Sequence, residues 1–68
     1  MISARNQLPG TVKSVRQSTV MAEVVVVVDG RFEIVAAITR DSAERMGLKP
    51  GDQVTAVIKA TEVMVAKD

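Results

Sequence analysis

The sequence contains no cysteine, histidine, tryptophan or tyrosine, and Phe32 is its one aromatic residue. Without thiols there can be no disulfide framework, and without thiol or imidazole the usual transition-metal ligands are missing. The same gaps remove Cys-His and Ser-His nucleophilic catalysis, imidazole base chemistry and aromatic platforms for stacking nucleobases. The composition therefore argues against an enzyme. The four glycines, Gly10, Gly30, Gly47 and Gly51, stand apart from one another, so neither a Walker loop nor a dinucleotide fingerprint exists. Nine basic against eight acidic residues leave a net charge of +1, too small for the positive field of a non-specific nucleic-acid or anionic-membrane binder. No apolar run approaches the roughly 18 to 20 residues that span a bilayer. The opening Met1-Ile2-Ser3-Ala4-Arg5-Asn6-Gln7 is unlike a signal peptide, so a cytoplasmic location is expected.

What is present is aliphatic. Hydrophobic residues make up 47% of the 68 positions, mostly valine and alanine, and the length suits a single domain over residues 1–68. A domain of this size buries only about 60% of its unfolded-chain surface. Small domains are commonly reinforced by disulfides or a metal; with both excluded here, oligomerisation is the remaining route.

Residues 1–9 show no sustained period and read as an arm, with Pro9-Gly10 marking a turn or the beginning of a strand. The following TVKSVRQ segment suits a first short strand. Five consecutive valines, Val24 to Val28, within residues 20–29 favour a strand over a helix. An unbroken apolar run implies cover on both faces, and one small barrel covers only its inside, so a second subunit is expected against the outside. Asp29-Gly30 is a hairpin signal leading into a third strand, residues 31–38. Thr39 then suits a helix N-cap, with Asp41 and Glu44 in the first turns, Ala43 and Met46 on an apolar side and Gly47 at the stop. After the turn Leu48-Lys49-Pro50-Gly51-Asp52, residues 53–59 alternate as a fourth strand, and Glu62 to Ala66 are read as a fifth. Three strands, a short helix and two strands match a small, all-β, five-stranded OB-like barrel.

The acidic residues are scattered, without the spacing of a calcium loop or a catalytic carboxylate pair. One donor set is worth assembling. Ser3 and Arg5 lie in the arm, Thr39 and Ser42 at the start of the helix, and Lys59 at the end of the fourth strand. Backbone N–H groups, hydroxyls and charge-assisted donors in one place make an oxyanion site. From these residues alone it stays open whether the arm and Lys59 reach the helix within one chain or across to a neighbour.

Five segments, Ser3 to Gly10, Ala37 to Ser42, Met46 to Leu48, Gly51 to Val54 and Ile58 to Val65, closely resemble the molbindins, small molybdate-binding proteins of the Mop-like domain. SARNQL and IKATEV are the specific parts. The resemblance implies an OB-like subunit in a hexamer, a trimer of dimers, holding molybdate or tungstate between subunits for intracellular storage or homeostasis. It also implies that Ser3, the Ala4 backbone and Arg5 bind the oxyanion together with Thr39 and Ser42, and with Lys59 and the Ala60 backbone. Molybdate is a tetrahedral dianion, so such a pocket needs hydrogen-bond donors and positive charge, not direct ligands to the metal atom. Selection against sulfate would rest on size, because the two anions share charge and shape. The stretch MGLKPGDQV, residues 46–54, and Ile38 to Ala43 also resemble AbrB-type swapped-hairpin DNA-binding proteins. The near-neutral charge and the position of the stretch past mid-chain favour molbindin. A molybdate-sensing regulatory module is the alternative role.

Overall fold

The computed structural model describes residues 4–67. Four strands and one helix follow in the order β1 (Asn6–Gln17), β2 (Met21–Val28), β3 (Phe32–Thr39), α1 (Arg40–Met46) and β4 (Gln53–Ile58), with a single 3-10 turn at Ala60–Glu62. The sheet is antiparallel throughout, in the order β3-β2-β1-β4.

β1 organises the sheet because it serves two neighbours. Its first half, from Asn6 against Ile58 to Thr11 against Gln53, pairs with β4. Its second half, from Gly10 against Val28 to Gln17 against Ala22, pairs with β2. The changeover carries a bulge: Val12 faces Val26 and Ser14 faces Val25, so Lys13 is the extra residue. A bulge bends its strand and increases the local twist, which curls the sheet around its apolar face. On that face Val12, Val24 and Val26 form the buried core, with Ile34, Ile38, Leu48 and Val54 packed against them. Among the described residues no polar or charged side chain is buried. The valine run alternates as a pleated strand must: Val24 and Val26 are buried, while Val25 and Val27 lie half-buried on the other face.

Two connections are set by local chemistry. Asp29 and Gly30 both take positive φ, 57° and 69°, the pair of left-handed residues a type I′ hairpin needs. Thr39 caps α1 by accepting the Ser42 N–H, and Gly47 closes it by donating its N–H to the Ala43 and Glu44 carbonyls. Ala43 is buried as expected, but Met46 is exposed, at the rim of the open apolar face. The MGLKPGDQV stretch is the helix end followed by a turn in which the Lys49 N–H donates to Asp52 Oδ2.

Three expectations need correction. The arm is shorter than residues 1–9, because strand pairing begins at Asn6. Pro9-Gly10 is neither a turn nor a beginning but the middle of β1, a place proline can take on a strand where its missing N–H is not required. The fifth strand over Glu62–Ala66 is absent: Ala60–Glu62 form a 3-10 turn, and residues 63–67 carry no strand pairing. The chain therefore forms an open four-stranded sheet with one helix; the expected fifth strand and the closure it would give are missing from it. The short apolar run Val63, Met64, Val65 and Ala66 suits a strand, but an apolar run says nothing about which edge a strand joins.

Gly10 sits where β1 has no room for a side chain against β2. A Cβ built there would lie 2.6 Å from the Val27 carbonyl oxygen and 2.7 Å from Val26 Cγ1. Because one obstacle is backbone, Gly10→Ala is expected to lose about 1 to 3 kcal/mol, the usual range for an overpacked site, read as a lower urea midpoint at unchanged slope. An unchanged midpoint would show that β2 yields there.

Candidate functional site

The donors singled out in the sequence fall into two groups. Ser3 lies outside the described residues. Ala4 is buried, and its carbonyl accepts a 3.1 Å hydrogen bond from Gln7 Nε2. That bond holds the residues just before β1 in a bend, and Gln7 is a contributor the sequence reading did not assign. Arg5 is exposed. The β1-β4 ladder ends with Asn6 opposite Ile58, so the next residues outward on the two strands are Arg5 and Lys59, followed by Ala4 and Ala60. Asn6 and Ile58, separated by most of the chain, thus pair at the corner that these residues adjoin. Lys59 is extended, at φ −64° and ψ 137°, and its carbonyl accepts the Glu62 N–H at 2.9 Å, which tightens the turn that carries Ala60. Among the described residues neither Arg5 nor Lys59 forms an ion pair; Lys13, Arg40 and Lys49 are held by Glu33, Glu44 and Asp52. The corner therefore presents two cations not committed to carboxylates.

The second group is built by the helix start. Thr39 Oγ1 accepts the Ser42 N–H at 3.1 Å and donates to Ser42 Oγ at 2.8 Å. Ser42 Oγ accepts in this pair, so its own hydrogen is not used by Thr39. Arg40 fixes the approach to the helix: its N–H donates to the Val20 carbonyl at 2.7 Å, and its guanidinium joins Glu44 at 2.7 Å.

One chain does not bring the groups together. Thr39 pairs with Met21 at the end of the sheet where Gln17 meets Ala22, while Arg5 and Lys59 flank the Asn6-Ile58 step at the opposite end of β1. α1 packs on β2 and β3, and no hydrogen bond among the described residues links the helix start to the corner. The alternative the sequence left open is thereby narrowed: a pocket that uses both groups needs donors from more than one chain. Among the described residues there is no cluster of three or more carboxylates able to hold a cation.

A trough of about 460 Å³ runs along the open side of the molecule, between Ile34–Ile38 of β3 and Val54–Ile58 of β4, floored by Val12, Val24 and Val26. It is mostly apolar, and neither Thr39 and Ser42 nor Arg5 and Lys59 line it. No membrane-spanning helix occurs among the described residues.

The TOBE domain model matches residues 2–65. Molybdenum-pterin-binding protein 3 of Clostridium pasteurianum is 48% identical over 64 residues, covering 94% of each chain. A molybdate-binding protein from Sporomusa ovata superposes with a TM-score of 0.92 at 52% identity, covering 98% of both chains. The cytoplasmic molybdate-binding protein ModG, with molybdate bound, superposes with a TM-score of 0.84 at 45% identity; the match covers 88% of this chain and 43% of ModG.

The Thr39 cap serves the helix whether or not an anion is present. Thr39→Ala is expected to lower stability by about 1 kcal/mol, while Thr39→Ser, which keeps the oxygen, stays near the parent. Thermal unfolding followed by circular dichroism distinguishes the two, and equal midpoints for both variants would remove the cap from the account.

Proposed function

The chain belongs to the TOBE domain family, among the small molybdenum-pterin-binding proteins, and from that premise we propose that it binds molybdate as an intact oxyanion at sites completed between subunits. Support for molybdate as the ligand comes from relatives that resemble the chain over nearly its whole length and are themselves molybdate-binding proteins. The observation that carries the location is the Asn6-Ile58 step, which Arg5 and Lys59 directly adjoin in the chain.

In this reading Ser3, the Ala4 N–H and Arg5 from the chain before β1, with Lys59 and the Ala60 N–H from the chain after β4, form one wall. Thr39 and Ser42 of a neighbouring copy supply hydroxyl and backbone donors on the facing wall. The anion exchanges its hydration shell for donors already fixed by the ladder and the helix cap, so little ordering accompanies binding. Hydrogen bonds involving a charged group contribute about 1.5 to 3 kcal/mol each, which makes Arg5 and Lys59 the dominant pair. No proton or bond to molybdenum changes, so the role is storage or buffering, without catalysis. Tungstate, of like charge and shape, fits the same donors, and the smaller sulfate leaves some of them unfilled. A hexamer of single-domain subunits in the cytoplasm is the assembly that completes the reading.

Arg5→Ala and Lys59→Ala are each expected to weaken molybdate binding about ten- to hundred-fold, the range that follows from 1.5 to 3 kcal/mol. Lys49→Ala, whose ammonium is held by Asp52 in an exposed turn, is expected to leave binding unchanged. Isothermal titration of the three variants tests the site, and equal losses in all of them would overturn it. Native mass spectrometry with molybdate, and with sulfate at equal concentration, tests the ligand and the assembly together: the expected result is a multi-chain species that gains mass only with molybdate. A single chain indifferent to both anions would reject the function.

A further inference from the structure

The β1-β4 ladder stops at Asn6 opposite Ile58, one residue short of Arg5. Past that step, among the described residues, no cross-strand hydrogen bond holds the chain, and a segment that runs beyond its ladder frays unless something ties it down. The backbone also bends at Arg5. Yet Ala4, one residue further out, is buried. Its tie among the described residues is one side chain: Gln7 Nε2 donates to the Ala4 carbonyl at 3.1 Å.

Gln7 itself stands inside the ladder, opposite Val57 and flanked by the Asn6-Ile58 and Leu8-Ala56 pairs. Its side chain therefore reaches from a paired residue back over the bend to an unpaired one. The bond has a directional consequence. The Ala4 carbonyl and the Arg5 N–H belong to one planar peptide and point to opposite sides of it. Holding the oxygen against Gln7 turns the Arg5 N–H the other way and narrows the directions in which the Arg5 side chain leaves the backbone. A second glutamine gives the contrast. Gln53 Nε2 donates to Thr11 Oγ1 at 3.0 Å, but Gln53 and Thr11 are already partners at the far end of the same ladder. The two bonds are alike in length and differ in what they hold: one ties a free segment, the other joins residues that the backbone has already fixed.

We propose that Gln7 is a positioning residue for anion binding: by holding the Ala4 carbonyl it keeps the Ala4-Arg5 peptide ordered before the anion arrives, and so sets the affinity of the corner without touching the ligand. This rests on the proposed function, which puts the donors of Ala4 and Arg5 at the oxyanion. Ordering completed in advance does not oppose binding, whereas donors that must be ordered by the ligand weaken it. A side chain of similar length without an N–H leaves every donor of the corner in the chain and removes only the order of two of them.

Gln7→Met is that change. Nitrogen-15 relaxation of the full chain without anion is expected to show the Arg5 amide falling from a rigid order parameter of about 0.85 to below about 0.6, with the urea midpoint unchanged. Isothermal titration is expected to show molybdate bound about two- to tenfold more weakly, the factor that one neutral hydrogen bond supplies, and a smaller loss than that of Arg5→Ala. Gln53→Met is expected to leave both readings at the parent's values. An Arg5 amide as ordered in Gln7→Met as in the parent would overturn the tie, and equal effects from Gln53→Met would overturn it in favour of general stability. A loosened Arg5 amide with undiminished affinity, while Arg5→Ala still weakens binding, would overturn the link from order to affinity and leave the proposed site standing. Arg5→Ala without effect on binding would remove the site, and the positioning role with it.

Discussion

β1 is shared, and the rest of the molecule depends on that sharing. Its backbone serves β4 first and β2 afterwards, and the handover is compressed into Gly10 to Lys13, where a close strand contact, two partners and a bulge meet. The absence of a side chain at Gly10 lets β2 approach; the extra residue at Lys13 curls the sheet; the curl brings Val12, Val24 and Val26 onto one inner face. The same handover sends the two ends of β1 in different directions. One reaches the Arg5-Lys59 corner and the other reaches the base of the helix. A straight strand paired along its whole length would have produced a flatter sheet with a less enclosed core.

Much of this was legible in the sequence, and the elements differ in why. The β2-β3 hairpin was readable because Asp29-Gly30 carries its own conformational requirement and the valines carry theirs. The helix was readable at both ends because Thr39 and Gly47 satisfy terminal backbone groups locally. Asn6–Pro9 was misread as an arm because its pairing partner lies far away in sequence, and proline and glycine in mid-strand imitate a boundary. The segment after Ile58 was misread for the opposite reason: its apolar run announces a strand, but strand pairing is a property of two segments, and an apolar run describes one.

The candidate site shows the same division. Residue types alone brought Arg5, Lys59, Thr39 and Ser42 into one donor list. That list could not reveal that Arg5 and Lys59 adjoin the last pair of the β1-β4 ladder, or that Thr39 and Ser42 stand at the other end. Gln7 escaped notice because an amide that braces a carbonyl next to a site has no signature in composition. A protein with no buried polar group among its described residues keeps its polar chemistry at strand ends and caps, where backbone geometry fixes position and water remains within reach. Anion recognition by hydrogen-bond donors suits such a surface, since it asks for placement and charge, with no deeply desolvated reactive group.

The span of the β1-β4 ladder has a consequence in time. Met21 to Thr39 is a compact stretch whose pairing is local, whereas Asn6 and Ile58 stand 52 positions apart. Closing the longer loop carries the larger entropy cost and contributes non-local contacts, which slow folding. The hairpin can form while the distal part of the chain is still searching, so the cationic corner belongs to the late stage of folding. As the chain emerges from synthesis, Arg5 appears early but gains its neighbour only when Lys59 has been added and the two strands have registered. A chain that has not yet reached Ile58 lacks the β1-β4 ladder, and with it the corner that Arg5 and Lys59 flank.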